Sequence, residues 1–130
     1  FLTCAFLKFN PDFTVEYSTA GHLPILKLTD DSNNFEELLI KQIPIAATKN
    51  FNYKTDSTTF KKNDLFVLLT DGITETSNKQ NEFFGMEKVK QIILNNRNDE
   101  LSHIYEKINN ELVSYGKQND DQTILLIRCL

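Results

Sequence analysis

The sequence has 130 residues, a hydrophobic fraction of 40%, a charged fraction of 25% and a formal net charge of −4. These values are typical of a globular domain with one core, and no apolar run approaches the roughly 18 residues that a membrane-spanning helix needs. Nucleic acid is excluded as a partner, because phosphate binding needs clustered Lys and Arg and the chain offers only the short run Lys61-Lys62. Cys4 and Cys129 lie in apolar runs, so we expect two buried free thiols in a reducing, cytoplasmic compartment. The alternatives are a disulfide and a metal-binding pair, and no CxxC spacing supports either.

The first half of the chain has the period-two pattern of β-strands. Residues 1–9 are largely apolar, Phe13 to Ser18 alternate apolar and polar residues, and residues 25–28 form a third strand-like segment, apolar except for Lys27. These three segments predict an antiparallel meander. Residues 38–40 and 53–60 predict further short strands. The continuous apolar run 65–69 predicts a strand that is buried on both faces.

Helical periodicity comes late in the chain. Met86, Val89, Ile92 and Ile93 fit one helix, and an apolar stripe from Leu101 to Leu112 predicts a second. We expect Asn98 or Asp99 to cap the start of the second helix and Gly116 to end it. Residues 123–129 predict a closing strand. Strands first, two helices and a final strand indicate an α+β fold with the helices on one face of a mainly antiparallel sheet.

The strand end at Thr70-Asp71-Gly72 is the clearest candidate site. A rigid strand would hold the Asp71 carboxylate at the edge of a sheet, where it suits a hard cation that prefers oxygen donors. Gly72 would allow the chain to turn sharply. Spacing alone also allows an ordinary Asp-Gly turn in which the carboxylate bonds to nearby backbone.

A second candidate is the pair Asp120-Asp121, which precedes the closing strand. Adjacent carboxylates repel each other and are costly to bury unless a cation or hydrogen-bond donors compensate them. The alternative is a solvated turn. Two aspartate-bearing strand ends on one sheet would favour a shared metal site.

His22 lies in the small-residue segment Ser18–Pro24, where the backbone can approach another group closely. Its position allows a metal ligand, a proton shuttle or a satisfied turn residue. The sequence lacks GxGxxG, GxxxxGK[ST], HExxH and GxSxG, so a Ser–His–Asp hydrolase has no recognisable nucleophile turn here.

Four segments in this order resemble the bacterial metal-dependent protein phosphatases of the PPM (protein phosphatase 2C-like) family, in the stage-two-sporulation-E or stress-regulator branch. That branch has the motifs AGH-x-P, TDG-[IV]-T-E, Phe-Gly before a helix, and DD-x-T in a final strand. The matching segments are Ala20–Pro24, Thr70–Glu75, Phe84-Gly85 and Asp120–Thr123. Each motif alone is weak, but together they cover nearly all of the chain.

The resemblance implies an αββα β-sandwich, of which residues 1–130 would be the C-terminal part of one phosphatase domain. It implies two Mn²⁺ or Mg²⁺ ions in the complete domain, with Asp71 and Asp120 as ligands. Asp121, His22 and Gly72 would lie next to these ligands without binding the ions themselves.

The sequence departs from the family pattern in two places. The segment D-x-x-G-H-G, which supplies the metal-bridging aspartate, has no counterpart in the chain, so that half of the domain would precede Phe1. The family's LPLG loop reads Ile43-Pro44-Ile45-Ala46, and Ala46 restricts φ where the family has glycine.

The implied reaction is metal-dependent hydrolysis of phosphoserine or phosphothreonine on a regulatory protein of the anti-anti-sigma type, in partner-switching signal transduction. A sensor domain would lie upstream in the same polypeptide, and the ligand count predicts that the chain alone is inactive. One alternative is a non-catalytic pseudophosphatase module that regulates a partner by binding. Another is a phosphatase with an aspartyl nucleophile, but that chemistry requires an aspartate at the position of Leu69.

Overall fold

The computed structural model describes all 130 residues, which form seven strands and three helices. The strands are β1 (Cys4–Phe9), β2 (Thr14–Ala20), β3 (Ile25–Leu28), β4 (Phe35–Leu38), β5 (Asp56–Thr59), β6 (Leu65–Leu69) and β7 (Ile124–Arg128), and the helices are α1 (Asp71–Thr74), α2 (Met86–Asn95) and α3 (Leu101–Tyr115). Antiparallel pairing and two late helices confirm the α+β class. None of the helices has the length and apolar character required to cross a bilayer.

Two sheets account for all seven strands. The first has the order β1-β2-β5, and the second has the order β4-β3-β6-β7. By compactness the chain divides into a first unit, residues 1–68 and 128–130, and a second unit, residues 69–127.

Contacts between the two sheets hold the first unit together. The Phe9 ring of β1 packs edge-on against the Phe66 ring of β6, with the ring centroids 5.2 Å apart. The Lys27 side chain of β3 is buried, and its Nζ donates a hydrogen bond of 2.6 Å to the carbonyl oxygen of Thr59 on β5. Glu36 on β4 balances its charge at 3.6 Å. The first unit is therefore a small sandwich whose interior includes one paired lysine.

The predicted three-strand meander is wrong, because β3 pairs with β4 and β6 rather than extending the β1–β2 hairpin. The chain leaves the first sheet at Gly21, whose φ is +61°. A Cβ atom at Gly21 would lie 2.6 Å from Cγ of Pro44, so this turn depends on a residue without a side chain.

Apolar runs predicted some strand bounds better than alternating patterns did. Strands 25–28 and 65–69 are confirmed to the residue, and both lie inside a sheet. The strand predicted at 38–40 lies instead at Phe35–Leu38. It ends there because the backbone N–H and carbonyl of Ile40 bond to the Thr19 hydroxyl, at 2.9 and 2.8 Å, rather than to a neighbouring strand.

The two predicted helices of the second unit are confirmed. Their apolar stripes are buried at Val89 and Ile93 in α2 and at Ile104, Ile108 and Leu112 in α3. These positions recur every three or four residues, which is the spacing of one helix face.

The N-cap prediction for α3 is wrong. The cap residue is Glu100, without a side-chain cap, and the Asp99 carboxylate instead contacts Nδ1 of His103 at 2.9 Å. Gly116 does end the helix, but with an extended φ of −179°. Glycine is needed there because a Cβ atom would lie 2.0 Å from the carbonyl oxygen of Ser77.

Both cysteines are free, as predicted, but Cys4 is only partly buried, contrary to expectation. Cys129 is buried, and desolvation raises the pKa of its thiol above the ordinary value. A raised thiol pKa lowers the fraction of reactive thiolate at neutral pH, which fits a packing role for Cys129.

Ala46 adopts the left-handed conformation that the family's glycine would favour. Its φ is +65°, and the adjacent turn is closed by a hydrogen bond of 3.2 Å from Ala47 N to Pro44 O. The Tyr53 hydroxyl also donates to the Pro44 carbonyl oxygen at 2.9 Å. The surrounding contacts therefore hold an unfavourable alanine conformation in place.

We expect Ala46→Gly to raise the free energy of unfolding by about 0.5–1 kcal/mol, because glycine reaches positive φ without the Cβ penalty. Ala47→Gly is the matched control, since Ala47 has no positive φ. It should lower the free energy of unfolding by about 0.5–1 kcal/mol through the greater entropy of the unfolded chain. Urea unfolding followed by circular dichroism measures both values. Equal losses in the two variants would contradict the strain at Ala46.

Candidate functional site

Asp71 lies two residues beyond the end of the buried strand β6, at the start of α1. Thr70 is extended, with φ −89° and ψ 158°, and the chain then forms the single helical turn α1. The sharp turn predicted at Gly72 is therefore a short helix. Asp71 is exposed at its start, and no hydrogen bond ties its carboxylate to nearby backbone. This arrangement differs from the locally bonded Asp-Gly turn that the sequence also allowed.

Gly72 brings the two aspartate-bearing segments together. A Cβ atom at Gly72 would lie 2.1 Å from the carbonyl oxygen of Asp121 and 3.3 Å from that of Asp120. Real Cβ atoms do not approach oxygen so closely, so only glycine allows the two backbones to meet at this distance. The backbone around Asp71 is therefore in contact with the backbone of the Asp120-Asp121 pair, although the two segments are far apart in sequence.

Hydrogen bonds from side chains and backbone fix this contact, and we call the residues that form them the Gly72 clamp: Thr70, Thr76, Gln122 and Thr123. The Gln122 amide donates to the Gly72 carbonyl oxygen at 3.2 Å and to the Thr76 hydroxyl at 2.8 Å. The Thr76 hydroxyl, which is buried, donates to the same Gly72 oxygen at 3.0 Å. Two side chains of the clamp therefore donate hydrogen bonds to one carbonyl oxygen of α1.

The other end of the clamp continues the pairing of β6 and β7. Thr70 N donates to Thr123 O, and Thr123 N donates to the Thr70 hydroxyl, each at 3.0 Å. The Thr70 hydroxyl in turn lies 3.4 Å from the Asp121 carbonyl oxygen. Sequence reasoning did not single out Thr70, Thr76 or Gln122 as functional residues. The only signal was their position inside or beside the two motifs.

The carboxylates at this contact are exposed and lack cationic partners. Asp71, Asp120 and Asp121 are all exposed, and none of them takes part in the ion pairs of the structure. The one local bond to a carboxylate is from Asp121 N to Oδ1 of Asp120, at 2.7 Å. Uncompensated carboxylates on adjoining backbones have the oxygen chemistry that hard divalent cations prefer.

This donor set fits part of the coordination shell of one ion. No group of three or more His, Cys, Asp and Glu side chains converges in the chain in a way that could hold a metal. Metal binding by Asp71 and Asp120 therefore stays a prediction.

His22 is partly buried in the first unit. Its Nδ1 lies 2.8 Å from the carbonyl oxygen of Leu23, a group that can only accept a hydrogen bond. Nδ1 therefore acts as the donor. This contact agrees with the satisfied turn residue that the sequence allowed, while a role beside a metal stays a prediction.

We expect Gly72→Ala to lower the free energy of unfolding by at least about 2 kcal/mol, because the new Cβ atom would push the Asp121 backbone away. The sign of this change in the free energy of unfolding is informative, because Gly→Ala in an unobstructed helix raises that free energy by about 1 kcal/mol. Gly85→Ala is the control: Gly85 has φ +82°, but its nearest obstruction is 4.0 Å away, so only conformational strain applies. Urea titrations of the three proteins test this, and a stabilised Gly72→Ala protein would contradict the contact.

The whole chain, residues 1–130, matches the family described as Stage II sporulation protein E (SpoIIE). A curated relative is the phosphoserine phosphatase RsbU of Bacillus subtilis (strain 168), which is 26% identical over 133 residues; the match covers 98% of this chain but 39% of RsbU.

Solved structures of phosphatase domains have the same fold. The manganese-presoaked phosphatase domain of the cell fate determinant SpoIIE from Bacillus subtilis aligns with a TM-score of 0.73 and 15% identity, covering 98% of this chain and 56% of that one. The SiaA-PP2C domain of Pseudomonas aeruginosa aligns with a TM-score of 0.76 and 19% identity, covering 95% of this chain and 50% of that one. The chain thus spans roughly half or less of each relative. It belongs to the Stage II sporulation protein E family.

Proposed function

We propose that this chain is the C-terminal part, residues 1–130, of a metal-dependent phosphatase domain that hydrolyses phosphoserine or phosphothreonine on a regulatory protein. The observation that carries the proposal is the backbone contact of Gly72 with Asp120 and Asp121, which joins the two segments that bear the exposed side chains of Asp71, Asp120 and Asp121. Family membership and a phosphoserine phosphatase among the relatives support the same reaction.

Asp71 and Asp120 would hold a divalent cation, Mn²⁺ or Mg²⁺, in this domain. The manganese-presoaked relative supports that choice of ion. When bound, two such ions supply an acidified water and neutralise the phosphoryl oxygens of the substrate. No side-chain nucleophile is needed for this chemistry, which agrees with the absence of a serine-nucleophile turn.

This chain's own residues would supply charge and alignment. Asp71 and Asp120 provide negative charge for the cation, and Asp121 lies next to them with its backbone held against Gly72. The Gly72 clamp fixes both segments before a cation arrives, so little reorganisation is needed on binding. Exposure of all three carboxylates leaves room for a protein-borne phosphate.

The substrate would be a phosphorylated regulatory protein of the anti-anti-sigma type, in a cytoplasmic partner-switching system. An upstream sensor domain in the same polypeptide would control the activity. The family resemblance supports these assignments, and the mildly acidic charge of the chain favours a protein over a nucleic acid as partner.

A second candidate function is a pseudophosphatase that regulates a partner by binding alone. The observation that favours it is the lack of any converging group of three metal-binding side chains in the chain. Hydrolysis of a phosphoserine protein by the full polypeptide, measured as Mn²⁺ is titrated in, separates the two functions. The enzyme should gain activity with Mn²⁺, whereas the pseudophosphatase should show none at any concentration.

In the full polypeptide that carries this chain, we expect Asp71→Asn to reduce Mn²⁺-dependent hydrolysis of a phosphoserine protein by about 100-fold or more, since the cation loses a charged ligand. Asp31→Asn is the matched control, because Asp31 is an exposed loop aspartate outside the site. Circular dichroism checks that both variants fold. Near-normal turnover by folded Asp71→Asn protein would show that Asp71 is not a ligand.

By itself, the 130-residue chain should bind at most one Mn²⁺ weakly and show no measurable phosphatase activity, because it offers two or three carboxylates and no bridging ligand. It should also self-associate through exposed aromatic side chains such as Phe6 and Phe13, each 64% exposed. Isothermal titration with Mn²⁺ and analytical ultracentrifugation measure these properties. If the 130-residue chain hydrolysed a phosphoserine protein as fast as the full polypeptide does, the inference that it has too few metal ligands would be wrong.

A further inference from the structure

A polar cleft lies beside the candidate site in the second unit. It has a volume of about 540 Å³ and includes Ser77, Asn78, Lys79, Tyr115, Lys117 and Asn119 in its lining. We call it the Lys79 cleft. Asn119 connects it to the candidate site, because this residue directly precedes Asp120 and its amide donates to the Ser77 hydroxyl at 2.9 Å.

The Lys79 cleft is positively charged although the chain as a whole is acidic. Lys79 and Lys117 are exposed in its wall, and neither is part of an ion pair. No carboxylate lines the cleft. Two acids lie just beyond the lining: Asp120 follows Asn119 in the chain, and Glu82 accepts a hydrogen bond of 3.0 Å at its Oε2 from the Asn78 amide. Unpaired ammonium groups and amides favour a ligand that carries carboxylates or phosphates.

The cleft is ordered by its own hydrogen bonds. The Asn78 side-chain oxygen accepts from Gln80 N at 2.9 Å and from Glu82 N at 3.0 Å, which fixes the loop that carries Lys79. The Tyr115 hydroxyl donates to the carbonyl oxygens at Glu82 and Phe83, at 3.1 Å each. A wall that is already rigid loses little entropy when a ligand binds.

The opposite wall is tied to the same loop. Lys117 N donates to the Ser77 carbonyl oxygen at 3.1 Å, and Gly116 lies so close that a Cβ atom there would be 2.0 Å from this oxygen. The two lysines therefore belong to segments that are bonded to each other, and their backbones keep a fixed spacing.

We propose that the Lys79 cleft binds an acidic stretch of the substrate protein adjacent to its phosphoserine. This inference rests on the proposed function, because it takes Asp71 and Asp120 as the place where the phosphate is hydrolysed. An extended peptide advances by about 3.3 Å per residue, so residues a few positions from the phosphoserine reach beyond Asn119 into the cleft. Their carboxylates would pair with Lys79 and Lys117, which selects the substrate without touching the reacting atoms.

The test compares the full polypeptide with its double variant Lys79→Gln/Lys117→Gln. Three substrates are used: a phosphoserine peptide with glutamates around the phosphoserine, the same peptide with glutamines in their place, and p-nitrophenyl phosphate. We expect the double variant to raise KM for the acidic peptide about 5-fold at low salt and less at high salt. Its kcat, and its activity towards the other two substrates, should stay unchanged.

The double variant Lys41→Gln/Lys49→Gln is the matched control, because both lysines are exposed and lie outside the Lys79 cleft. It should leave KM for every substrate unchanged. The charge-reversed variant Lys79→Glu/Lys117→Glu should prefer a lysine-flanked phosphopeptide. An unchanged KM for the acidic peptide in the glutamine variant, or an equal rise for all three substrates, would overturn the proposed role of the cleft.

A binding measurement separates this inference from the proposed function. Fluorescence anisotropy reports the Kd of the labelled acidic phosphopeptide without turnover. If the wild-type polypeptide hydrolyses nothing with Mn²⁺ but binds this peptide about 5-fold more tightly than the glutamine variant, the cleft assignment stands and the phosphatase assignment fails. If the wild type hydrolyses all three substrates and the two proteins bind the peptide equally, the cleft assignment alone fails.

Discussion

The close contact of Gly72 with the Asp121 carbonyl group sets the geometry on which the candidate site depends. Neither motif makes a site alone: Asp71 begins one helical turn, and Asp120-Asp121 lie in a loop before a strand. Their backbones meet only because residue 72 has no Cβ atom. The hydrogen bonds of the Gly72 clamp are then possible, since Gln122 and Thr76 reach the same Gly72 oxygen only at this separation.

The clamp also offsets an electrostatic cost. Asp71, Asp120 and Asp121 carry like charges on adjoining backbones, and their repulsion favours separation of the two segments when no cation is bound. Exposure to water reduces this repulsion, while the buried Thr76 hydroxyl and the Gln122 amide hold the segments together. The candidate site therefore keeps its charged groups at the surface, while the Thr76 hydroxyl that bonds to Gly72 is buried.

Local patterns in the sequence predicted the elements that local forces determine. The apolar run at 65–69 and the stripe from Leu101 to Leu112 specify their strand and helix, because burial of these side chains depends mainly on the spacing of their neighbours. The placement of β3 in the second sheet was not predictable in this way. It depends on Gly21 packing against Pro44, a contact between residues that are distant in sequence.

The same distinction applies to the site. Asp71 and Asp120 could be named as candidates because each follows or precedes an apolar strand and belongs to a motif. Gln122 and Thr76 could not, since a glutamine or threonine at those positions suits an exposed loop equally well. Their roles appear only when the strand ends are adjacent and both side chains reach one carbonyl oxygen. Motif resemblance thus named the candidate aspartates, and tertiary contacts show what holds their backbone segments together.

The buried Lys27 has a consequence for how uniquely the sequence folds. Its ammonium group reaches Thr59 on the opposite sheet and Glu36 on the neighbouring strand. A shift of β3 by one residue would turn this side chain to the other face of the sheet and leave a buried charge without its partners. An alkyl side chain of similar length would fill the same space but would tolerate the shifted pairing. Lys27 therefore disfavours misregistered sandwiches during folding, so its contribution is the selection of one native alignment.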